Sequence, residues 1–305
     1  MIEATAREAK AIPEITGEPV RGVASTRQGP VEYATLGEGP AVLALHGAMG
    51  GYDQSVLLAR TIGEAGYRYV CVSRPGYLGT PLSSGPSSEE QADLCAELLD
   101  SLGPGQAAVM AVSGGGPCAL QFALRHPTRC WGLVMVSTCS ERIEGGVPFA
   151  FQILKLFARV PGFGRAMRWK AKRDPESAAL RSIPDPVLRR RTVQDPIAGP
   201  LLLALTLSTL DQMGRRLGGT ENDIAVTRAT DYPLEQLRVP LLVVHGTGDR
   251  VVPFNPHATS FQKRVPNAEL LAVEGGDHVT IFTHRRQVRQ RVTEFLRLHA
   301  PGLGS

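Results

Sequence analysis

From residue 31 onward, short runs of aliphatic and β-branched residues alternate with amphipathic segments, and this alternation narrows the possible folds more than any other feature. The runs VEYATL, AVLALHG, YRYVCVS, AAVMAVS, WGLVMVS, PLLVVHG and AELLAVE read as strands. Between two of them lies SSEEQADLCAELLDSL, whose Leu94, Leu98 and Leu99 recur at helical spacing. Strands that are apolar along both faces need cover on both sides, and parallel strands need long crossovers to supply it. The pattern predicts an α/β fold: a mainly parallel twisted sheet with helices on both faces. A last helix is expected from near Val279 to Leu298. With 305 residues, 43% of them hydrophobic, the chain can build a substantial core.

One section interrupts the rhythm. Residues 141–233 hold no convincing strand, only helical pieces separated by Pro161, Pro175, Pro184, Pro186, Pro196 and Pro200. That is too long for a structureless loop. We expect a helical cap subdomain inserted into a core formed by residues 31–140 and 234–300, with residues 1–30 as an N-terminal arm. The insertion carries fifteen Lys and Arg against ten Asp and Glu, so the basic excess of a chain of net charge +4 sits there. Solvated helix faces are the preferred account of it, with attraction of an anionic substrate as a minor alternative, and the modest total charge argues against a nucleic-acid partner. The five cysteines are scattered, with no CxxC pair, and read as reduced thiols rather than a metal or redox centre. No two histidines have metal-ligand spacing on one helix face, so no metal is expected. The first twenty residues carry acids and prolines where a signal peptide needs an apolar stretch, and the apolar run Leu201–Leu210 is short for a membrane span. The expectation is a cytoplasmic protein without a membrane partner; a homo-oligomer is left open.

The chemistry is concentrated at three strand ends. In AVMAVSGGGPCALQFAL, residues 108–124, a strand runs through Ser113 and three glycines into a helix that carries Pro117 in its first turn. A Ser-Gly corner can be a simple turn. A sharp strand-to-helix corner also lifts a hydroxyl above the sheet, where helix N–H groups point toward it. A serine needs a base and an orienting acid to become a nucleophile. Asp249 follows the strand PLLVVHG, and His278 follows AELLAVE in Gly-Gly-Asp-His. Ligands of open parallel sheets bind beyond the carboxyl ends of the strands, so these three residues are expected to converge there.

In these motifs, over roughly residues 31–298 and in the order serine, acid, histidine, the chain resembles an α/β-hydrolase with an inserted cap. The elbow of that family usually reads G-x-S-x-G; here it is Ala111-Val112-Ser113-Gly114-Gly115. The resemblance implies that Ser113 attacks an acyl carbonyl, His278 acts as general base and then acid, and Asp249 orients the imidazole. It also implies that His46-Gly47-Ala48 forms the oxyanion loop, with the N–H groups of Ala48 and Gly114 as donors. The implied activity is hydrolysis of a small ester, lactone, amide or activated C–C bond through an acyl-enzyme, with a small-molecule acyl substrate and no cofactor. Acyl transfer or peptidase action by the same triad, or a non-catalytic ligand-binding relative, are the alternatives.

Glu141 is the second-choice acid, and Asp277 reads as a turn residue. His245 reads as structural, His257 and His284 are the other rivals of His278, and His46 is expected to hydrogen-bond its own loop. Asp53 reads as the N-cap of the next helix, with a substrate-facing role as the alternative, and Tyr77, near the pocket rim, reads equally as lining the site or as loop packing. In the insertion Phe149, Phe151, Ile153, Leu154, Phe157, Phe163, Met167 and Trp169 are expected mostly to pack the cap, with some facing the nucleophile.

Overall fold

Eight strands form one sheet in the order β1-β2-β4-β3-β5-β6-β7-β8. They are β1 (Val20–Ser25), β2 (Pro30–Leu36), β3 (Ala41–Leu45), β4 (Arg68–Val72), β5 (Ala107–Val112), β6 (Cys130–Val136), β7 (Leu241–Gly246) and β8 (Glu269–Val273). The computed structural model describes residues 12–147, 149–158 and 160–302, with Phe149 and Ala150 described by backbone only. The first eleven residues of the expected arm and the side chain of Phe149 therefore lie outside the described residues. β1 pairs antiparallel with β2, and β2 antiparallel with β4; every pairing from β4 onward is parallel. The periodic reading missed β1. Its exposed Val20 and Val23 form an edge strand without the apolar run that marks the central strands.

Period-two alternation divides the central strands between two cores. Leu43, Leu45, Val109, Ala111 and Val243 face one core, packed by Leu94, Leu98 and Leu99 of α2 (Ser88–Leu102), Leu120 and Phe122 of α3 (Gly116–Arg125) and Phe261 of α10 (Phe254–Arg264). Val42, Ala44, Met110 and Val244 face the other, packed by Leu58 and Ile62 of α1 (Tyr52–Ile62) and Val288, Val292 and Phe295 of α12 (Arg285–His299). Both faces are dry, which is why these strands read as unbroken apolar runs. The expected last helix is two pieces: α11 (Thr280–Thr283) and α12 are separated at His284, where φ is −126° and ψ 35°.

Between β6 and β7 the chain makes α4 (Phe149–Phe157), α5 (Phe163–Arg173), α6 (Pro175–Ala179), α7 (Pro186–Gln194), α8 (Ala198–Leu210) and α9 (Gly214–Ala229). Asp174 and Asp185 cap α6 and α7 through the backbone N–H groups of Ser177 and Leu188. Ile183 and Leu202 continue the core on the α1 side, while Phe151 and Met213 cluster with Met49 at the carboxyl edge of the sheet. Ile153, Phe157 and Trp169 are largely exposed, although Phe157 stacks on Phe163 with ring centroids 5.0 Å apart. No single described helix is long and apolar enough to cross a membrane.

Candidate active site

The corner after β5 is tighter than a plain strand-to-helix joint. Val112 is still extended, Ser113 has φ +50°, and residues 113–115 make one 3₁₀ turn before α3. A non-glycine residue in the left-handed region costs about 1 kcal/mol. The neighbours hold it there: Thr138, two residues past β6, donates its hydroxyl to the Ser113 carbonyl at 2.7 Å. Gly115 is needed for close approach, because a Cβ on it would stand 2.7 Å from the His46 carbonyl oxygen and 2.8 Å from that of Leu45. The corner is thus pressed directly against the end of β3.

The three strand ends do converge. His278 Nε2 lies 3.0 Å from Ser113 Oγ, and His278 Nδ1 lies 2.8 Å from Asp249 Oδ2. Asp249 can only accept, so it fixes the tautomer with Nδ1 protonated, leaving Nε2 free to accept from the serine hydroxyl. Its other oxygen accepts the N–H groups of Val251 and Val252 at 2.8 and 3.0 Å. Burial pushes the Asp249 carboxyl upward, but hydrogen bonds from His245 and His278, the charge of His278 and the Val252 N–H outweigh it and hold it well below the usual carboxylate range. His245 Nε2 donates at 2.8 Å to the Val252 carbonyl and reaches Asp249 Oδ2 at 3.4 Å, so one N–H is shared between the acid and its loop. That makes His245 a support for the acid's loop.

The loop after β3 presents the second set of groups. A Cβ on Gly114 would lie 3.3 Å from the Ala48 nitrogen, so the two backbone segments face each other across a space open only because residue 114 has no side chain. Among the described residues neither the Ala48 nor the Gly114 N–H has a hydrogen-bond acceptor. His46 Nδ1 donates to the Gly47 carbonyl at 2.6 Å, and its Nε2 accepts the Arg74 N–H at 3.0 Å. Burial, reinforced by the Arg74 charge, holds the His46 imidazole well below its ordinary pKa, so it is neutral and shapes the loop.

Several rivals have other employment. Glu141 is not the partner of His278; its charge acts on His257, whose Nδ1 accepts the Ser140 N–H at 3.4 Å. Asp277 Oδ1 accepts the Val279 N–H at 3.0 Å, while its Oδ2 is buried without a partner among the described residues; burial, then the charge of Asp249, pushes this carboxyl up to about 6. His284 pairs with the Thr283 hydroxyl. Asp53 is not an N-cap. Gly51 holds that position without a side-chain bond, and Asp53 instead forms a two-pronged pair with Arg216 of α9 at 3.1 and 2.7 Å. Tyr77 is fully buried, its hydroxyl 2.6 Å from Asp223 of α9. Sequence reading missed Arg74, Arg216 and Asp223; a lone arginine in a Gly/Pro-rich loop and one aspartate in a polar helix carry no periodic signal. A cleft of about 410 Å³ among α5, α8 and α9 is lined by Arg165, Arg168 and Met213, and by none of the converging residues.

A parallel sheet that brings a serine, a histidine and an aspartate into hydrogen-bonded line beyond its carboxyl edge, with two N–H groups beside the serine that lack an acceptor among the described residues, defines a hydrolase-type site. The sequence model described as alpha/beta hydrolase fold matches residues 40–285, and the chain belongs to that family. A 2-hydroxy-6-oxononadienedioate/2-hydroxy-6-oxononatrienedioate hydrolase of Burkholderia vietnamiensis is 29% identical, covering 88% of this chain and 91% of the relative. The pimeloyl-[acyl-carrier protein] methyl ester esterase of Aromatoleum aromaticum is 27% identical over 72% of this chain and 84% of its own. Among solved structures, an alpha/beta hydrolase fold protein from Nakamurella multipartita superposes with a TM-score of 0.81 at 32% identity, covering 90% of this chain and 98% of the other. An enol-lactonase from Burkholderia xenovorans, at 17% identity, shares the fold with a TM-score of 0.67, covering 90% and 99% of the two chains.

Proposed function

We propose that this protein is a cofactor-independent serine hydrolase that cleaves a small ester, lactone, amide or activated C–C bond through an acyl-enzyme. The observation that carries the reading is the unbroken line Asp249–His278–Ser113, with distances of 2.8 and 3.0 Å, beside two N–H groups that have no acceptor among the described residues. Ser113 Oγ attacks the carbonyl carbon while its proton passes to His278 Nε2; Asp249 holds the ring and balances the imidazolium. The carbonyl oxygen becomes an oxyanion that accepts from the Ala48 and Gly114 N–H groups, each worth about 3 kcal/mol of transition-state stabilisation. His278 returns the proton to the leaving group, leaving the acyl group on Ser113. Water then attacks that ester, losing its proton to His278, and the acid departs with Ser113 restored.

Relatives named as a dienedioate hydrolase and a methyl ester esterase support hydrolysis of small substrates and leave the bond class broad. We assign the helices of residues 141–233 the role of a cap. Met49, next to the donor Ala48, packs with Phe151 and Met213, which supports an apolar acyl portion of modest size. Labelling with a fluorophosphonate probe tests the reading. The wild-type protein is expected to be labelled at one serine, and Ser113→Ala to lose both labelling and p-nitrophenyl ester turnover; persistent turnover in that variant refutes the mechanism.

A further inference from the structure

Beside the two N–H donors lies a buried set of charges that the acyl-transfer steps do not use. Arg74, in the loop after β4, is 1% exposed and grips both oxygens of Asp223 at 2.8 and 2.6 Å. The Tyr77 hydroxyl donates to the same Asp223 Oδ2 at 2.6 Å. The guanidinium also donates to the His46 carbonyl from Nε at 3.0 Å. Thr220, one turn before Asp223 on α9, accepts the Met49 N–H at 2.9 Å. The polar groups on either side of Ala48 are thereby occupied: the His46 carbonyl by Arg74, the Gly47 carbonyl by His46, the Met49 N–H by Thr220. Among the described residues the Ala48 N–H in their midst has no acceptor, which leaves it for a ligand. Asp223 Oδ2 stands 2.8 Å from the point where a Cβ on Gly114 would sit, and the Ala48 nitrogen 3.3 Å from the same point.

We propose that the Arg74–Asp223 pair is a positioning device for the oxyanion site: it holds the Ala48 loop in place, and Arg74 neutralises a carboxylate that would otherwise oppose negative charge forming beside Gly114. The inference rests on the serine-hydrolase reading, and it adds that the inserted helix α9 completes the oxyanion site. Two physical arguments support it. A buried ion pair commonly stabilises a fold no better than apolar residues of the same volume, so its position beside the donors calls for another reason. An unpaired carboxylate a few ångströms from a forming oxyanion would act against the transition state. A pair that serves stability alone predicts losses that track Tm. A charge-balancing pair predicts that removing the Asp223 charge restores rate lost with Arg74.

The experiment is a double-mutant cycle on the full chain, read as fluorophosphonate labelling rate, kcat and KM on a p-nitrophenyl ester, with Tm recorded for each variant. Arg74→Gln, which leaves Asp223 charged and unpaired, is expected to lower kcat and the labelling rate ~100-fold with KM nearly unchanged. Asp223→Asn is expected to lower them less, by ~10-fold at most, and Arg74→Gln/Asp223→Asn to recover at least ~10-fold over Arg74→Gln. A double variant as slow as Arg74→Gln, or losses across the variants that track Tm, overturns the proposal. Should Arg74→Gln fail to fold, Tyr77→Phe substitutes for it. Its expected several-fold loss in kcat should vanish in the Asp223→Asn background, and an additive loss overturns the proposal equally. An unlabelled wild-type protein sinks the hydrolase reading itself; a labelled wild type with an equally reactive Arg74→Gln sinks only the pair's role.

Discussion

Replacing Gly115 with alanine tests how the site is built. The new Cβ would stand 2.7 Å from the His46 carbonyl oxygen and 2.8 Å from the Leu45 one. Both are backbone atoms at the end of a strand whose residues are wholly buried, so no flexible side chain can give way. Reaching the 3.4 Å at which ordinary contact begins requires the two backbones to part by about 0.7 Å. Overpacking of this kind costs ~1–3 kcal/mol of stability. The functional cost should be larger. Gly114 is the neighbour of the altered residue and Ala48 lies two residues beyond His46, so the two proposed oxyanion donors sit on the two segments being forced apart. Misplacement by about 1 Å can cost ~100-fold in rate, and loss of one donor ~100- to 1,000-fold. Gly115→Ala is therefore expected to lower kcat by ~100-fold or more with a smaller change in KM, while remaining folded. Urea denaturation, with ester kinetics normalised to labelled sites, measures both effects. A variant with wild-type kcat and stability within ~0.5 kcal/mol would show that the corner and the β3 end are not in the contact described here.

Two further outcomes follow from the acids around His278. Asp249→Asn should keep the fold but lower kcat by about 10⁴, because an amide can donate to Nδ1 and stabilise the wrong tautomer; stopped assays on the ester substrate would show it, and loss confined to KM would refute it. Asp277, pushed up to about 6 chiefly by burial, binds its proton more tightly in the folded chain than in the unfolded one. The fold is therefore penalised above pH 6 and relieved as pH falls toward the unfolded value near 3.8. Because the residue is partly reached by solvent, the penalty is set at on the order of 1 kcal/mol. Asp277→Asn should raise stability at pH 8, with the gain fading by pH 4; a gain that is constant with pH would contradict the assignment.

Much of the fold was legible because its signals are local. Central strands buried on two faces must be apolar throughout, and the partly exposed β2 and β8 still carry short apolar runs, so seven of the eight could be found; β1, with Val20 and Val23 exposed at an edge, offered no such run. Ser113, Asp249 and His278 were legible for a related reason. A parallel sheet brings every strand's carboxyl end to one side, so reactive residues just past those ends meet whatever their separation in sequence. The periodic pattern also marked the helical insertion, but not which of its apolar residues would be covered. Trp169, for one, is exposed, with Arg173 over its ring at 4.0 Å.

What the amino-acid order determined by itself was thus the layered architecture and the three side chains at its strand ends, because short-range periodicity and the handedness of crossovers leave few alternatives. Tertiary structure alone decided the wall behind them. Asp53 looked like a helix cap until Arg216, 163 residues away, took its carboxylate. Arg74 and Asp223, separated by 149 residues, could be paired only once α9 lay over the loop after β4. Ion pairs of this kind have no period and no fixed spacing. Their partners are chosen by which surfaces packing brings together, and burial then makes the choice energetically decisive.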